Sequence, residues 1–599
     1  MASDCRISFD MLPHDVLEKI CFDPSLDYLD ICHLAMASSC TRDVCCGSEI
    51  WKRKFCKRWP NLLRKYEPRG QHMWAELFRS RHLCCADVIR AVSTMSSLHY
   101  HDDEISDDAF LEFDNLVMKY SAEFVIDELH AIVVNGCTLT AKYYAVKISQ
   151  YVVQRHLTAK WQSFLALPPG RQSVEQGAVL LSQWCQGSRE VKGHEVKAKL
   201  DDLANMVRLE MEQRQLRHPA IGHCMESSEF TALMESLWSS RECRQVLETL
   251  NYVLFDKLGF RGNNDDYYIA ENSYIDKVLD KMTGIPISLC VVYVSVSHRL
   301  GVLCHLVSFP QHFLVKWKEH PQLTGGQEFT YIDVYERGKF VSETELIMNG
   351  SSISMLETAP VVRVLRRMCH NLVNVARQQQ HHGDFVSELR PPLELLTLLD
   401  ASNDLMKVFL GRIYLHLNIN LRQVPELLPS GDPEGEGLTA ESRDSMSVAA
   451  ELRESAREQL LKLSNQPPPQ IVARRRSDNP KVLYSVGLIM KHKRYFYTCV
   501  IYGWDSKCEA SNTWIYQMGV NHLTNKQHQP FYTVLVEDGS MRYAAQESLE
   551  IAKEPKVITN PKVGKYFEEF CTTHYRANDE RMAEYPDDWL VTLEYVSHS

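Results

Sequence analysis

No two of the 19 cysteines stand in a C-x-x-C spacing. That removes the paired-ligand pattern of zinc ribbons and the redox motif of thioredoxin-like folds. The cysteines are odd in number and scattered without a repeat, so no disulfide framework is expected. Free thiols in this number fit a reducing compartment, cytoplasmic and in part nuclear. Long apolar runs are also missing. The longest uncharged apolar stretch, 284–297, falls short of the roughly 20 residues that a membrane-spanning helix needs, so no membrane attachment is expected. The first residues include acids and hold no apolar core run, which argues against a secretory signal. Nor is there an excess of positive charge. The formal net charge is −11, which argues against broad nucleic-acid or membrane binding and leaves room for a local basic patch. What remains is a chain of 599 residues, 45% apolar and 24% charged. This is the composition of an ordinary soluble protein, long enough for about four domains.

The middle of the chain is organised around the stretch from Thr283 to Val302. Residues 284–301 carry the pattern of one buried helix. Pro286 stands near its start, where a missing N–H costs nothing, and Gly301 stands at its end, ready for a left-handed cap. Leu289, Val292, Val296 and Leu300 fall on one face at helical spacing. Two strand-like segments come next, with His312 in the first and Asp333 in the second. A helix start, a strand with His and a strand with Asp succeed one another in a papain-like or transglutaminase-like triad. In that chemistry a Cys at the helix N-terminus has its thiolate stabilised by the helix dipole and a His partner, and the Asp orients the imidazole.

The segment Glu271-Asn-Ser-Tyr-Ile-Asp-Lys-Val-Leu-Asp-Lys-Met-Thr-Gly-Ile-Pro-Ile-Ser-Leu289, with the His312 and Asp333 strands, closely resembles the transglutaminase-like SirB family. The resemblance runs from about Ser173 to Leu421. It implies an α+β domain that is mostly helical. The nucleophile departs from the pattern. Counting back from Gly301, the position of the family Cys falls at or near Pro286, which has no nucleophile. Cys290 lies one turn further along, and a buried structural role is expected for it. The expectation is an enzyme-shaped domain without acyl transfer. The alternative is a thiol-dependent protease or transglutaminase-like enzyme using Cys290, His312 and Asp333.

Residues 1–60 carry three short helical patterns. The first has Leu12, Val16, Leu17 and Ile20 in a stripe after an Asp-x-x-Pro start. The second carries Ile31 and Leu34, and the third leads through Ile50 to Trp51. Such helices bury little alone and suit either a cap on the next domain or an interaction motif. Leu12-Pro13, Val16-Leu17, Ile20, Leu34 and Ile50-Trp51 match the F-box pattern, with a departure at Ser38-Ser-Cys-Thr-Arg42. The resemblance implies that Leu12, Pro13, Val16, Leu17 and Ile20, with Trp51 in support, dock on a Skp-type adaptor, which joins a cullin and a RING subunit.

Residues 61–170 are expected to form a helical connector. Its polar stretch 99–104, with two His and three acids, could in principle hold a metal, but an exposed loop between helices is expected, and no metal or cofactor. Residues 171–425 make the central domain. Asp265-Asp-Tyr-Tyr268 could suggest an acid/base pair, with a turn the expected reading, and 361–421 should form helix hairpins similar to a tetratricopeptide-like tail. Residues 426–480 are expected to be a linker with one helix, containing the acidic run 429–437 and a solvated Arg474-Arg-Arg476.

The last region, 481–599, starts as β. Runs at 484–490, 497–502 and 531–536 alternate or stay apolar, and Asp538-Gly539 marks a hairpin. Short strands with tight turns suggest a small barrel. Val486-Gly487, His492-Lys-Arg-Tyr495, Gly503-Trp-Asp505, Gln529-Pro-Phe-Tyr532 and Glu547-Ser-Leu549 closely resemble the HspQ/YccV-like domain. That family carries a hemimethylated-DNA label, and its bacterial members act on protein clients. Lys491, Lys493 and Arg494 could meet phosphate. The aromatic strands, with Trp504, Trp514, Phe531 and Tyr532, favour a protein or peptide client over DNA.

The whole then reads as a multidomain α+β chain: a three-helix F-box, a mostly helical transglutaminase-like centre with tetratricopeptide-like helices, and a small C-terminal β-barrel. The order resembles that of F-box substrate receptors. It implies recruitment of target proteins for ubiquitination, with the transfer chemistry in the partners.

Overall fold

The computed structural model describes residues 12–66, 74–223, 235–309, 312–324, 327–348, 353–378, 385–429, 440–467 and 469–597. Asp10, at the expected start of the first helix, and the acidic residues 430–437 lie outside them.

The N-terminal unit has four helices rather than three: His14–Cys21, Tyr28–Ala37, Ser39–Cys45 and Ser48–Arg58. The expected third helix is broken at Cys46-Gly47. The Gly47 amide turns back onto the carbonyl of Val44 at 2.9 Å, and a Cβ there would press to 3.0 Å from that oxygen. Two reciprocal caps set the other boundaries. Asp27 and Asp30 close the second helix, and Ser38 and Thr41 the third, each pair satisfying two orphan donors. Leu17, Cys21, Ile31, Val44, Cys45 and Ile50 make a small core.

This unit shares a core with the connector. Phe55, on the unit's last helix, belongs to the core of the connector with Phe78, Phe113 and Phe124. The connector helices are Trp74–His99, Leu111–Lys119, Ala122–Asn135 and Leu139–Leu165. Arg81, fully buried at 0% exposure, is held there by Asp127 at 2.7 Å and Glu128 at 2.8 Å, since an unpaired buried charge would cost several kcal/mol.

The central domain begins with helices Val174–Cys185, Gly193–Gln213 and Ser240–Asn251. They surround the helix Pro286–Arg299, of whose 14 residues only His298 is not buried. The helix is therefore apolar or satisfied all round, as a core helix must be, and the expected single stripe understates it. Gly301 ends it with φ +76°. A four-stranded antiparallel meander comes next: Cys304–Val307, Leu314–Lys318, Phe329–Asp333 and Lys339–Ser342. Within the region of expected helix hairpins, 385–417 forms two helices, Phe385–Leu399 and Asp404–Leu417, and Asn403 caps the second start by accepting from the Met406 amide at 3.2 Å. The helix Ala440–Asn465 is no free linker. Its Ala449 and Ala456 are fully buried in the central core.

In the C-terminal domain five antiparallel strands are bonded in the order Met541–Ala545, Phe531–Val536, Thr498–Asp505, Ile489–His492, Leu549–Ile551. The ladder stays open, so the expected barrel is not closed by hydrogen bonds among the described residues. The sheet nevertheless curls strongly. Its two edge strands are consecutive in sequence and joined by the 3-10 turn Gln546–Ser548. The four steps from Ala545 to Leu549 reach at most about 14 Å, whereas four flat strand spacings cover about 19 Å.

The C-terminal domain packs on the connector. Lys565, 3% exposed, donates to the Asp102 carbonyl at 2.6 Å. Ser96 donates to Glu580 at 2.6 Å and Thr140 to the Phe567 carbonyl at 3.0 Å. The polar stretch 99–104 leaves the helix as a loop exposed at 101–103, as expected, and it also serves as a docking point, with Glu104 paired to Lys147 at 2.8 Å. Arg474 and Arg476, expected on a solvated linker, are pinned to Asp505 at 2.5 Å and Asp588 at 2.7 Å.

Candidate functional site

Two places could carry function: the helix start facing the His–Asp pair, and the leading helix of the N-terminal unit.

At the first, the expected pair is present. His312 Nε2 lies 2.8 Å from Asp333 Oδ2. Asp333 ends a strand, and its other oxygen accepts the Glu336 amide at 3.1 Å, which fixes the carboxylate. The His-bearing loop is clamped from behind by Arg367 on the helix Val361–Gln378. It donates to Ser308 Oγ at 2.9 Å, to the Phe309 carbonyl at 2.6 Å and to the His312 carbonyl at 2.9 Å. Sequence reasoning misses Arg367; its one signal is a charge in the run 364–373, whose apolar positions are buried. The Tyr335 ring lies edge-on to the imidazole at 6.3 Å, and its hydroxyl donates to Asn264 at 2.6 Å. A Cβ at Gly262 would meet the Tyr335 ring at 2.2 Å, so only glycine allows this approach.

The helix end that should present a nucleophile is closed. Pro286 is its first residue and is buried. Ser288 Oγ accepts the Ile285 amide at 3.1 Å and donates to the Asn272 carbonyl at 2.6 Å. An amide that would support an anion is therefore already taken. Cys290 is fully buried and points its thiol at the Phe313 carbonyl, 3.6 Å away. Burial pushes that thiol well above its usual range, and the nearby Asp333 carboxylate pushes the same way. Both effects oppose the thiolate that nucleophilic chemistry needs. Asp265 and Asp266 lie in a turn, with the Asp266 amide donating to Asn263 Oδ1 at 3.1 Å. Among the described residues no group of three or more His, Cys, Asp or Glu is placed to hold a metal ion. Among them, too, no helix is long and apolar enough to cross a membrane.

At the second place the expected adaptor residues divide. Leu17 is 2% exposed and belongs to the unit's own core. Leu12 and Ile20 are half-buried, while Pro13 and Val16 are exposed, Val16 at 36%. Trp51 packs against the same small core as Leu17 and Leu12 and also reaches the connector. Its Nε1 donates to the Cys45 carbonyl at 2.7 Å, and its ring lies 5.0 Å from Phe78 of the connector.

The client-binding candidates of the C-terminal domain are mostly interior, which corrects that expectation. Trp504 is 2% exposed, Phe531 1% and Tyr532 0%. Trp504 Nε1 donates to Asp588 Oδ2 at 2.9 Å, and the same oxygen accepts the Val486 amide at 2.7 Å. Tyr532 donates to Gln546 at 2.7 Å. Trp504 and Tyr532 lie in the core to which Tyr595 of the helix Asp588–Ser597 also belongs, Phe531 packs in a separate cluster with Ile515, Val520 and Ala545, and buried indole and phenol groups need such hydrogen-bond partners. Only Trp514 is half-buried, against Tyr543 at 5.7 Å. The exposed aromatics there include Tyr516 at 81%, Phe496 at 70% and Tyr495 at 63%, the last two beside Lys491 and Arg494.

Known proteins share both the domains and their order. Residues 194–370 match the model of the transglutaminase-like superfamily, and 482–574 match that of the hemimethylated DNA-binding protein YccV like. F-box only protein 21 of Mus musculus is 33% identical over 605 residues, covering 98% of this chain and 93% of the mouse protein. That of Pongo abelii is 34% identical over the same shares. A UPF0162 protein of Xylella fastidiosa is 34% identical over 146 residues, 23% of this chain and 50% of that protein. No solved structure matches the chain.

Proposed function

The chain belongs to the F-box only protein 21 family, and on that premise we propose that it is the substrate-recognition subunit of a Skp–cullin–F-box ubiquitin ligase. One observation carries this reading. The leading helix of the four-helix unit keeps Pro13 and Val16 in solvent while Leu17, next in sequence, locks the same helix into a core. A preformed helix with an apolar ridge suits docking into a partner's groove, where a few apolar anchors supply most of the energy. The unit shares a core with the connector. A client held further along the chain would thus keep a fixed distance from the ligase, and proximity is the catalytic contribution required of it.

In this reading the central domain does no acyl transfer. The buried Pro286, the occupied helix start and the protonated Cys290 support that. His312 and Asp333 then serve to fix the loop around them.

The test is co-elution of the purified full-length chain with a Skp-type adaptor. The native chain should co-elute. Val16→Asp should weaken the pair by about 30-fold, roughly 2 kcal/mol, with the melting transition unchanged. Equal binding by the variant would contradict the assignment of the ridge.

A further inference from the structure

Cysteine is not spread evenly along this chain. Six of its 19 fall in the four-helix unit, as Cys21, Cys32, Cys40, Cys45, Cys46 and Cys56, and two of these meet inside it. Cys21 ends the first helix and Cys45 ends the third. They stand 24 residues apart in sequence, yet their sulfurs lie 3.8 Å apart in the unit's core. Both are free thiols, 3% and 2% exposed.

The surroundings suit a bond between them. Cys21 stands one helical turn past Leu17, on the inward face of the helix that leaves Val16 exposed. Cys45 is held from the other side, its carbonyl accepting Trp51 Nε1 at 2.7 Å. Between the helices a gap of about 10 Å³ remains, lined by Leu17, Ile20, Leu34, Val44 and the two cysteines among others. A disulfide is about 2.0 Å long, so the sulfurs need to close by about 1.8 Å, and this gap gives them room. Burial and the neighbouring Cys21 hold the Cys45 thiol up to about 12, which keeps it un-ionised while the unit is closed. The sulfurs are therefore reached when the first helix opens, and the closed unit shields the product. In a reducing compartment such a bond is transient and reports oxidation.

We propose that Cys21 and Cys45 form a reversible disulfide that clamps the helix His14–Cys21 onto the helix Ser39–Cys45 and tightens adaptor docking under oxidising conditions. The consequence for docking rests on the substrate-receptor reading and deepens it by adding regulation of that surface. The oxidant is a small-molecule disulfide. One cysteine, as thiolate, attacks a sulfur of that disulfide, displaces one small thiolate and leaves a mixed disulfide. The second cysteine loses its proton to water, attacks the protein-side sulfur and displaces the other small thiolate. Two protein thiols thus lose two protons and two electrons, and one small disulfide becomes two thiols. The closed loop restricts the opened first helix, and a helix held ready loses less freedom on binding.

Glutathione is the probe. The full-length chain is equilibrated in buffers from fully reduced to fully oxidised, free thiols are alkylated on quenching, and links are located by peptide mass mapping. Cys21–Cys45 should be the link formed within the unit, in the native chain and equally in Cys46→Ala. Oxidation should slow amide exchange across 14–21 by about tenfold or more and adaptor dissociation by about threefold. Both effects should reverse with a reducing agent and be absent in Cys45→Ala. The mapping on the native chain decides the bond even where that variant fails to fold. No link at any glutathione ratio, links from these cysteines to Cys32, Cys40 or Cys46 instead, or unchanged exchange and dissociation in the linked chain would overturn the proposal, while adaptor binding by the reduced chain would leave the receptor reading intact. A linked, protected helix in a chain that never binds the adaptor would overturn the receptor reading, and the docking consequence with it, but not the bond.

Discussion

Two helices of this molecule begin at a proline and bury a cysteine, and they have opposite fates. Pro13 precedes His14–Cys21 in solvent, and the face beyond it keeps Val16 exposed. Pro286 opens Pro286–Arg299 in the interior, and Cys290 on that helix is fully buried. The central helix has the richer geometry around it, with a His–Asp pair at 2.8 Å and an arginine clamp. Yet each of the polar groups described there already has a partner within the chain. The plainer N-terminal helix leaves Pro13 and Val16 exposed among the described residues. Interaction follows from what a fold leaves unpartnered, and a complete local network more often marks a piece of structure.

The largest expected effect separates the two roles of the N-terminal stripe. Leu17→Ala removes a buried side chain from a core of only six fully buried residues. It should cost about 3 kcal/mol and loosen the whole four-helix unit, visible as faster amide exchange across 14–58. Val16→Asp, one residue away, should leave exchange alone and affect only the adaptor. If both variants behaved alike, the division between core and ridge would fail.

The second prediction concerns the end of the central helix. His298 bonds the Cys304 carbonyl at 2.9 Å, and the water-poor surroundings of its half-buried ring hold its pKa down to about 4 against an ordinary 6.5. A group with a depressed basic pKa is neutral in the fold, so the unfolded chain takes up its proton first. Stability is therefore whole above pH 6.5 and falls as pH drops from 6.5 towards 4. The loss at pH 5 should be about 2 kcal/mol. His298→Gln should remove most of that acid dependence in thermal melts at pH 5 and pH 8. An unchanged dependence would place the acid sensitivity elsewhere.

The smallest effect is expected at Cys290. Cys290→Ser should change stability by about 1 kcal/mol and adaptor affinity not at all. With a thiol-directed electrophile at neutral pH, the exposed Cys40, Cys46 and Cys137 should be labelled long before it. Preferential labelling of Cys290 would revive a thiol enzyme.

Periodicity and punctuation serve well where structure is local. Pro286 and Gly301 bracket the central helix, Asp538-Gly539 turns the hairpin between Phe531–Val536 and Met541–Ala545, and the order His312 then Asp333 corresponds to a real pair. They fail where contacts join distant segments. Trp504 looks like surface because its partner, Asp588, lies 84 residues on. Arg476 looks like linker for the same reason, its carboxylate being 112 residues away. Lys565 meets the 99–104 stretch across 463 residues. Local composition carries no trace of such pairings. The division of the F-box stripe into core and ridge is equally hidden, because Leu17 and Val16 are both simply apolar in the sequence.

The most direct test breaks each helix region in turn within a reconstituted complex of chain, adaptor, cullin and RING subunit, and tracks ubiquitin transfer onto the chain itself. His312→Ala, which removes the imidazole from the Asp333 pair, should leave transfer at the native rate, while Val16→Asp should reduce it by about 30-fold. Loss of transfer with His312→Ala, together with native transfer by Val16→Asp, would put the working part of the molecule in its centre and contradict the account.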